Sequence, residues 1–263
     1  METTQKCSIT VAMPLYNMGQ IATLALEGLC NQKTKCYWEL LVCEEDNEKA
    51  LGLEKLMSYK ERLEKANCIK ITYLPLSSWI PLSKKWKILA DNASDTLGFI
   101  LQAGDCYPHS KRIEKTYTAF LAKYSYYDEE KGFFYSFRLN KTILFNPDKR
   151  YYRHPCKLNM AWKTSLIKKL PDSDKKVNID GFIYYALANL EKIRKYTDTD
   201  LHLDGVDVDG YNIISARNKF FTEPSNIFVS TDINIKEHLP ILNNYNNLEL
   251  TIPFKESNET PTQ

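Results

Sequence analysis

Asp105 follows a short, largely apolar run at residues 97–101, a position from which its carboxylate could meet a metal ion or a phosphate. A run of this length, with Asp95 before it and Gly104 after it, predicts a buried strand rather than a helix. In an open α/β sheet the carboxyl end of a central strand faces the ligand crevice. The alternative is a turn that only ends the strand, since Gly and Asp both favour turns.

Two further apolar runs, at residues 8–13 and 38–43, also end in polar groups. These groups are Tyr16 and Asn17 after the first run, which Pro14 stops, and Glu44, Glu45 and Asp46 after the second. Because parallel strands place their carboxyl ends at one edge of a sheet, we expect all three groups to converge in a nucleotide-type crevice. The sequence has no G-x-G-x-x-G motif and no Walker lysine, which argues against a dinucleotide-binding fold and a P-loop.

The elements that must position these groups alternate between strand and helix. We expect strands at residues 8–13, 38–43, 69–74 and 97–101, and helices at about 20–31, 51–67 and 82–94. This alternation predicts a parallel sheet with right-handed crossovers.

The second half of the chain is less regular. We expect helices at residues 110–124 and 180–194, a hairpin at 133–138 and 142–145, an apolar start followed by a helix within 159–169, and an acidic, turn-rich segment at 198–209. The polar residues 256–263 are expected to be disordered.

Composition indicates a globular protein and excludes a dedicated nucleic-acid binder. The chain has 263 residues, 43% hydrophobic and 26% charged, and a formal net charge of only +2. Seven scattered cysteines, an odd number without a C-x-x-C pair, predict reduced thiols and no zinc site. There is no apolar stretch long enough to span a membrane and no signal-peptide pattern, so we expect a cytoplasmic location, with peripheral membrane attachment through a partner left open.

The order and spacing of these segments resemble family 2 glycosyltransferases with the GT-A fold, over roughly residues 8–195. Residues 11–17 resemble the family's opening strand and P-x-Y-N loop, and residues 38–45 resemble its next strand. Residues 100–105 lie where the family has its D-x-D motif, and their Q-A-G-D ending is closer to the N-A-G-D form that some members have. The other matching segments are residues 159–163, before the acceptor-side helix, and 177–180, where an E-D pair often supplies the base. Compact members are common in bacteria and large DNA viruses.

The resemblance implies an α/β fold of the GT-A, Rossmann-like type. This fold has a mostly parallel central sheet flanked by helices and a small antiparallel hairpin on the acceptor side. We expect one such domain over residues 1–225, with a nucleotide-sugar half at about 1–108, an acceptor half at about 109–225, and a C-terminal extension at 226–263. The implied activity is that of an inverting, hexosyltransferase-type enzyme. It would move a sugar from a nucleotide-diphosphate donor, UDP- or dTDP-sugar favoured, to a glycan or other hydroxyl acceptor.

The resemblance also assigns roles to carboxylates. Asp105 would hold Mn²⁺ or Mg²⁺, and one carboxylate suffices because the donor's phosphates supply further ligands. His202 could add a ligand from the C-terminal segment, the alternative being a surface histidine in an acidic loop. Asp180 would be the general base that accepts the acceptor's proton. A helix N-cap is the alternative for Asp180, and both roles can hold together.

The nucleotide-sugar donor is expected to contact the three strand ends. Glu45 or Glu44 could accept the N3–H of uracil or thymine, and Tyr16 could lie against the base or ribose. A solvated loop is the alternative for the two glutamates. The other residues expected near the donor are Pro14, Asn17, Gln102, Ala103 and Gly104, with Arg217 reaching the diphosphate.

Two further positions have competing interpretations. Among Lys84, Lys85 and Lys87, helical geometry lets only some face inward, and we select Lys87 as the donor contact and expect the other two on a solvated face. Trp162 is either a platform for the acceptor sugar or a core residue.

Two functions compete with that of a glycosyltransferase. The chain departs from the family pattern in several places: Glu44 and Glu45 stand where aspartates are usual, Gln102 and Gly104 stand where the D-x-D region usually has acids, and Ile179 replaces the usual Glu. The changes at Gln102, Gly104 and Ile179 motivate a degenerate GT-A domain that binds a sugar or a partner without turnover. A nucleotidyltransferase would have a similar sheet and would also use a metal ion. The Gly-rich loop with a basic residue that such an enzyme normally has is missing at residues 14–19.

Overall fold

The fold is built on two sheets, and the computed structural model describes residues 6–137, 139–147, 157–175, 178–208 and 228–245. The strands of the first sheet are β1 (Ile9–Pro14), β2 (Trp38–Glu45), β3 (Cys68–Leu76), β4 (Gly98–Leu101), β6 (Tyr126–Glu129), β9 (Leu158–Lys163) and β10 (Lys195–Asp198). Those of the second sheet are β5 (Cys106–Tyr107), β7 (Gly132–Ser136), β8 (Lys141–Phe145), β11 (Val206–Val208) and β12 (Phe228–Ser230).

The helices in the same residues are mostly short. They are α1 (Gly19–Cys30), α2 (Leu53–Met57), α3 (Lys60–Lys65), α4 (Leu82–Asn92), α5 (Arg112–Leu121), α6 (Thr164–Ile167), α7 (Ile179–Ala188), α8 (Ile235–His238) and a 3-10 helix (Pro240–Tyr245). No helix among the described residues is long and apolar enough to cross a membrane.

The first sheet has the strand order β10-β6-β9-β4-β1-β2-β3, and only β9 runs antiparallel to its neighbours. The chain therefore starts in the middle of the sheet, runs out to β3 and returns through α4 to β4 on the other side of β1. This reversal between β1 and β4 is a topological switch point, which in α/β sheets opens a crevice at the carboxyl ends of the strands. The predicted mostly parallel sheet and the β7–β8 hairpin are confirmed.

Helices cover both faces of the first sheet, which is why its inner strands are continuously apolar instead of alternating. Val11 and Met13 of β1 pack on one face with residues of α1, α3 and α5. Ala12, which points the other way, belongs to the cluster formed with α4, α6 and α7.

The single helix expected over residues 51–67 is two helices, α2 and α3. The break lies at Ser58 and Tyr59, where the Ser58 hydroxyl donates to the Lys55 carbonyl at 2.7 Å. Tyr59 turns into the core and is only 8% exposed. Burial of this ring therefore overrides the continuous helical pattern of the charged residues around it.

The C-terminal residues that the structure describes pack into the same core as the strands. β12 pairs with β8, and Ile235 and Leu242 are fully buried against α1. The Tyr245 hydroxyl also hydrogen-bonds to Thr23 of α1 at 2.8 Å. The expected domain boundary at residue 225 lies outside the described residues and stays a prediction. The six cysteines in the described part are free thiols, and Cys156 lies outside it.

Candidate functional site

The predicted strand ends do converge at the carboxyl edge of the first sheet. The Leu15 N–H donates to the Cys43 carbonyl at 2.8 Å, which joins the end of β1 to the end of β2. The Gln102 N–H donates to the Ala12 carbonyl at 2.9 Å, which joins β1 to the turn after β4. The crevice expected from the sequence is therefore present, with the loop after β1 at its centre.

Gly104 lets the β4 turn approach this loop closely. A Cβ atom at position 104 would lie 2.5 Å from Leu15 Cδ2 and 3.1 Å from Met18 Sδ. A side chain at position 104 would therefore require the Leu15 side chain, or the turn that carries Asp105, to shift. In the same loop Asn17 has a φ of 51°, a left-handed conformation that asparagine tolerates better than most residues, and α1 starts two residues later.

A buried ion pair forms the floor beside this loop. Lys85 is 2% exposed and its Nζ lies 2.6 Å from Glu45 Oε2. The same ammonium donates to the Leu15 carbonyl and lies 5.3 Å from the centre of the Tyr16 ring. Lys85 thus connects α4 to β2 and to the loop after β1, and it compensates the charge of Glu45.

An open cleft of about 370 Å³ lies over this ion pair. It is lined by Tyr16, Asn17, Glu45, Asp46, Asn47, Glu48, Lys49, Ser77, Ser78 and Trp79. Tyr16 is 41% exposed and can offer a ring face to a ligand. The expected donor contacts Tyr16, Asn17 and Glu45 are therefore brought together in one concave surface.

Glu44 is used differently from Glu45. Its side chain is buried and accepts the backbone N–H groups of Leu51 and Gly52, each at 2.8 Å. The Tyr73 hydroxyl adds a third bond at 3.0 Å. With both oxygens engaged, Glu44 holds the loop after β2 in place, so Glu45 is the better placed of the two glutamates to contact a base.

The β4 turn presents Asp105 and is braced by Gln102. The Gln102 amide donates to the Ala103 and Cys106 carbonyls at 2.8 Å each and accepts from Arg112 at 2.7 Å. These bonds assign Gln102 a supporting role inside the turn, while Ala103 is exposed. Asp105 is half-buried, and its carbonyl accepts the Val208 N–H at 2.9 Å. A lone carboxylate on a braced turn suits a Mn²⁺ or Mg²⁺ ion that takes its other oxygens from a diphosphate.

His202 is engaged elsewhere. Its Nε2 lies 3.0 Å from Asp198 Oδ2, and its ring stacks on that of the buried His109, with 3.6 Å between centroids and 3° between planes. Among the described residues, His202 belongs to two groups of side chains that could hold a metal ion. The first also contains His109 and Asp204, the second contains Asp198 and Asp200, and neither includes Asp105. A metal ion binds imidazole in the ring plane, so two face-to-face rings are poorly arranged to share one ion.

In the second of these groups, a lysine ammonium pairs with both carboxylates. Lys115 Nζ lies 2.6 Å from Asp198 and 2.7 Å from Asp200. Burial would raise the pKa of Asp198, but hydrogen bonds from His202, Lys115 and the Asp200 backbone outweigh it and hold this pKa well below its usual range. Lys115 thus supplies positive charge to a group that could also hold a metal ion, and this group does not include Asp105, so His202 is not placed as a partner of Asp105.

Replacing Asp198 with asparagine is expected to lower the free energy of unfolding at neutral pH by about 1–3 kcal/mol, because Lys115 and His202 lose an anionic partner. Since the pKa of Asp198 is lowered by folding, the carboxylate stabilises the fold above its unfolded pKa, about 3.9. That contribution is lost as the pH falls through the folded pKa. Urea unfolding at neutral pH and at about pH 3 measures it. The gap between wild type and variant should narrow in acid, and a gap independent of pH would contradict this account.

Residues 173–175, which precede the helix that carries Asp180, are bound to α4. Ser83 Oγ, in the first turn of α4, donates to the carbonyls of Ser173 at 2.6 Å and Lys175 at 2.9 Å. Because α4 begins at the crevice side of the sheet, these residues lie on that side too. Asn178 is the residue that precedes α7, so Asp180 is in the first turn of the helix, where it is exposed.

Three other predicted residues have different positions. Lys87 pairs with Asp91 and points toward the Lys168 carbonyl at 3.5 Å, so it is Lys85, on the opposite face of α4, that enters the site. Trp162 is fully buried, with its ring 4.5 Å from that of Tyr126, which places it in the core and leaves no face for a sugar. Arg217 lies outside the described residues.

No protein-family model matches the chain, and no curated protein matches it. Solved structures do resemble it. Residues 1–349 of S. aureus TarS match with UDP (TM-score 0.57, 16% identity, 76% of this chain and 60% of that one) and with UDP-GlcNAc (TM-score 0.54, 15%, 77% and 59%). The mannosyltransferase PcManGT from Pyrobaculum calidifontis, in complex with GDP-Man and Mn²⁺, matches with a TM-score of 0.53 at 12% identity over 80% of this chain and 59% of that one.

The chain therefore spans about 60% of the length of these structures. At such low identities the likeness identifies the fold. The predicted GT-A fold, with its mainly parallel central sheet and flanking helices, is confirmed, while membership of family 2 stays a prediction.

Proposed function

We propose that the protein is an inverting glycosyltransferase that moves a sugar from a nucleotide-diphosphate donor to a hydroxyl acceptor. One observation carries this proposal. At the carboxyl edge of a GT-A sheet, Tyr16 and Glu45 line a cleft, Lys85 pairs with Glu45, and the turn that presents Asp105 packs closely on the loop that carries Tyr16. A donor lying along this edge can place its base in the cleft and its diphosphate near Asp105.

The base is expected to be uracil or thymine. Glu45 keeps one carboxylate oxygen for Lys85, and its other oxygen has only a long contact, 3.4 Å, from the Ile80 N–H. That second oxygen can accept the N3–H of either base. S. aureus TarS was solved with UDP and with UDP-GlcNAc, and PcManGT with GDP-Man, which supports a nucleotide-sugar donor of this general kind.

Asp105 would hold the divalent cation, Mn²⁺ or Mg²⁺, together with oxygens of the donor's diphosphate. The cation supplies charge neutralisation for the leaving nucleoside diphosphate. The braced turn around Gln102 keeps the Asp105 backbone in place, so little reorganisation is needed when the donor binds.

Asp180 would act as the general base. In inverting transfer the acceptor oxygen bonds to the anomeric carbon on the face opposite the diphosphate, the bond from that carbon to the diphosphate oxygen breaks, and the acceptor's proton goes to the carboxylate. The exposure of Asp180 in the first turn of α7 leaves it accessible to a hydroxyl group of a glycan or other acceptor.

A thermal-shift screen of UDP-, dTDP- and GDP-sugars, each with and without Mn²⁺, tests the proposal. A ligand that binds only the folded state raises the melting temperature by mass action. We expect a metal-dependent rise with one nucleotide class, which is lost in Asp105→Asn. The matched control Asp95→Asn changes an aspartate whose side chain is 93% exposed and should keep the rise.

The outcomes separate the competing functions. A shift without donor hydrolysis would favour the degenerate binding module, and formation of a nucleotide-sugar from a sugar phosphate and a nucleoside triphosphate would favour a nucleotidyltransferase. No shift with any nucleotide in a folded sample would contradict the glycosyltransferase proposal.

A further inference from the structure

The four tryptophans differ sharply in their exposure. Trp38 and Trp162 are 0% exposed and Trp86 is 6% exposed, whereas Trp79 is 49% exposed. A large aromatic side chain that stays half in water at a concave surface is a common feature of binding sites. Trp79 lines the same cleft as Tyr16.

The loop that carries Trp79 borders the floor of this cleft. The next residue, Ile80, has its N–H 3.4 Å from Glu45 Oε1, and Pro81 then leads directly into α4. Glu45 itself is fixed by Lys85. The Trp79 backbone therefore lies close to the carboxylate that is proposed to accept the N3–H of the base.

Tyr16 has one face already covered. The Lys85 ammonium lies 5.3 Å from the centre of the Tyr16 ring, which is a cation–π distance and holds the ring in place. A ligand that stacks on Tyr16 must use the other face of the ring. A planar group bound there would occupy the cleft that Trp79 also lines.

The charge of the cleft indicates which part of a nucleotide-sugar donor binds there. Glu45 is compensated by Lys85, but Asp46 and Glu48 are exposed carboxylates at the cleft, with Lys49 beside them. Excess negative charge disfavours a diphosphate and favours a neutral ring with N–H donors. A volume of about 370 Å³ is also suited to a base with its ribose rather than to a whole nucleotide-sugar.

We infer that Trp79 is a base-stacking residue that closes the nucleobase subsite opposite Tyr16, an inference that rests on the proposed function. The pyrimidine lies between the two aromatic side chains, with its N3–H toward Glu45, and the diphosphate leaves the cleft in the direction of Asp105. Trp79 thus determines the affinity for the nucleoside part of the donor and contributes nothing to binding of the diphosphate.

Calorimetry and tryptophan fluorescence with UDP test this inference. Because the other three tryptophans are buried, a change in emission on UDP binding should come mainly from Trp79. UDP should change the emission of the wild type. Trp79→Phe should keep UDP binding but lose most of that emission change. Trp79→Ala should weaken UDP binding roughly tenfold to hundredfold, the loss expected for one stacked base. The control Leu121→Ala, which shortens a side chain that is 55% exposed on α5, should bind UDP like the wild type.

Inorganic pyrophosphate with Mn²⁺ serves as a second probe, and its binding should be unchanged in Trp79→Ala. If the Trp79→Ala variant melts like the wild type and binds UDP with wild-type affinity, the role of Trp79 is overturned and the proposed function stands. Equal weakening for pyrophosphate and UDP would overturn it as well. Failure of the wild type to bind UDP, dTDP or GDP would overturn the proposed function and this inference together.

Discussion

Replacing Asp180 with asparagine is expected to lower kcat for sugar transfer by about 10²–10⁴-fold, the usual contribution of a general base. Asparagine keeps the shape of the side chain but cannot accept the acceptor's proton. UDP affinity should be unchanged, because Asp180 contacts the acceptor in this account and not the donor. Initial rates with the donor identified by thermal shift, together with UDP titration of the same variant, measure both quantities.

A matched control is Asp172→Asn. Asp172 is an exposed carboxylate in the loop that leads toward α7, and among the described residues its side chain accepts the neighbouring Ser173 N–H. This variant should transfer sugar at the wild-type rate. If Asp180→Asn also kept the wild-type rate, Asp180 would be a helix-terminal residue only, and the base would have to be sought elsewhere.

Replacing Lys85 with methionine is expected to lower the free energy of unfolding by about 3–5 kcal/mol, because it leaves the buried Glu45 carboxylate without its counter-charge. The same change releases the Leu15 carbonyl and the Tyr16 ring from the ammonium. UDP binding should therefore be lost even at temperatures where the variant is folded. Urea unfolding and calorimetry measure the two effects.

Lys84→Met is the matched control for this prediction. Lys84 is the preceding residue of α4, and its ammonium pairs with Asp174, whose side chain is 78% exposed. The Lys84→Met substitution should leave both the free energy of unfolding and the UDP affinity unchanged. In a double-mutant cycle, Glu45→Gln combined with Lys85→Met should recover part of the lost stability, since no buried charge is then left unpaired. A Lys85→Met protein as stable as the Lys84→Met protein would contradict the buried ion pair.

The central sheet could be predicted because its inner strands β1, β2 and β4 are buried on both faces and therefore appear as continuous apolar runs separated by helical segments. The convergence of Tyr16, Glu45 and Asp105 followed from the rule that parallel strands end at one edge. By contrast, β11 could not be predicted. It lies within an acidic segment, and it forms because Val206 and Val208 pack into the core while pairing with β5.

Side-chain roles at the site were harder to predict than the positions of the strands. Lys85 and Lys87 are two residues apart on one helix, and only the packing of α4 on the sheet decides that Lys85 faces Glu45 while Lys87 faces Asp91. The helical periodicity could have indicated that Lys85 faces the sheet, because Lys85 lies four residues before the buried Leu89. Glu44 and Glu45 point to opposite faces of β2, so one supports a loop and the other lines the cleft.

The stacked pair of His109 and His202 had no signal in the sequence, since the two residues are far apart in the chain. Gly205 packs against His109, with 2.9 Å between a Cβ placed on the glycine and the His109 Cβ. Asp204 accepts the Ser110 N–H at 3.0 Å. These tertiary contacts, and not local propensity, hold the loop after β10 against the start of α5.

The most direct test of the central claim is the release of nucleoside diphosphate from a panel of UDP-, dTDP- and GDP-sugars, incubated with the protein and Mn²⁺. We expect slow release from one nucleotide class even without an acceptor. Release should be abolished in Asp105→Asn and retained in Asp95→Asn. Binding of that nucleotide class with no release from any sugar in the panel would contradict the transferase and identify a binding module built on the same fold.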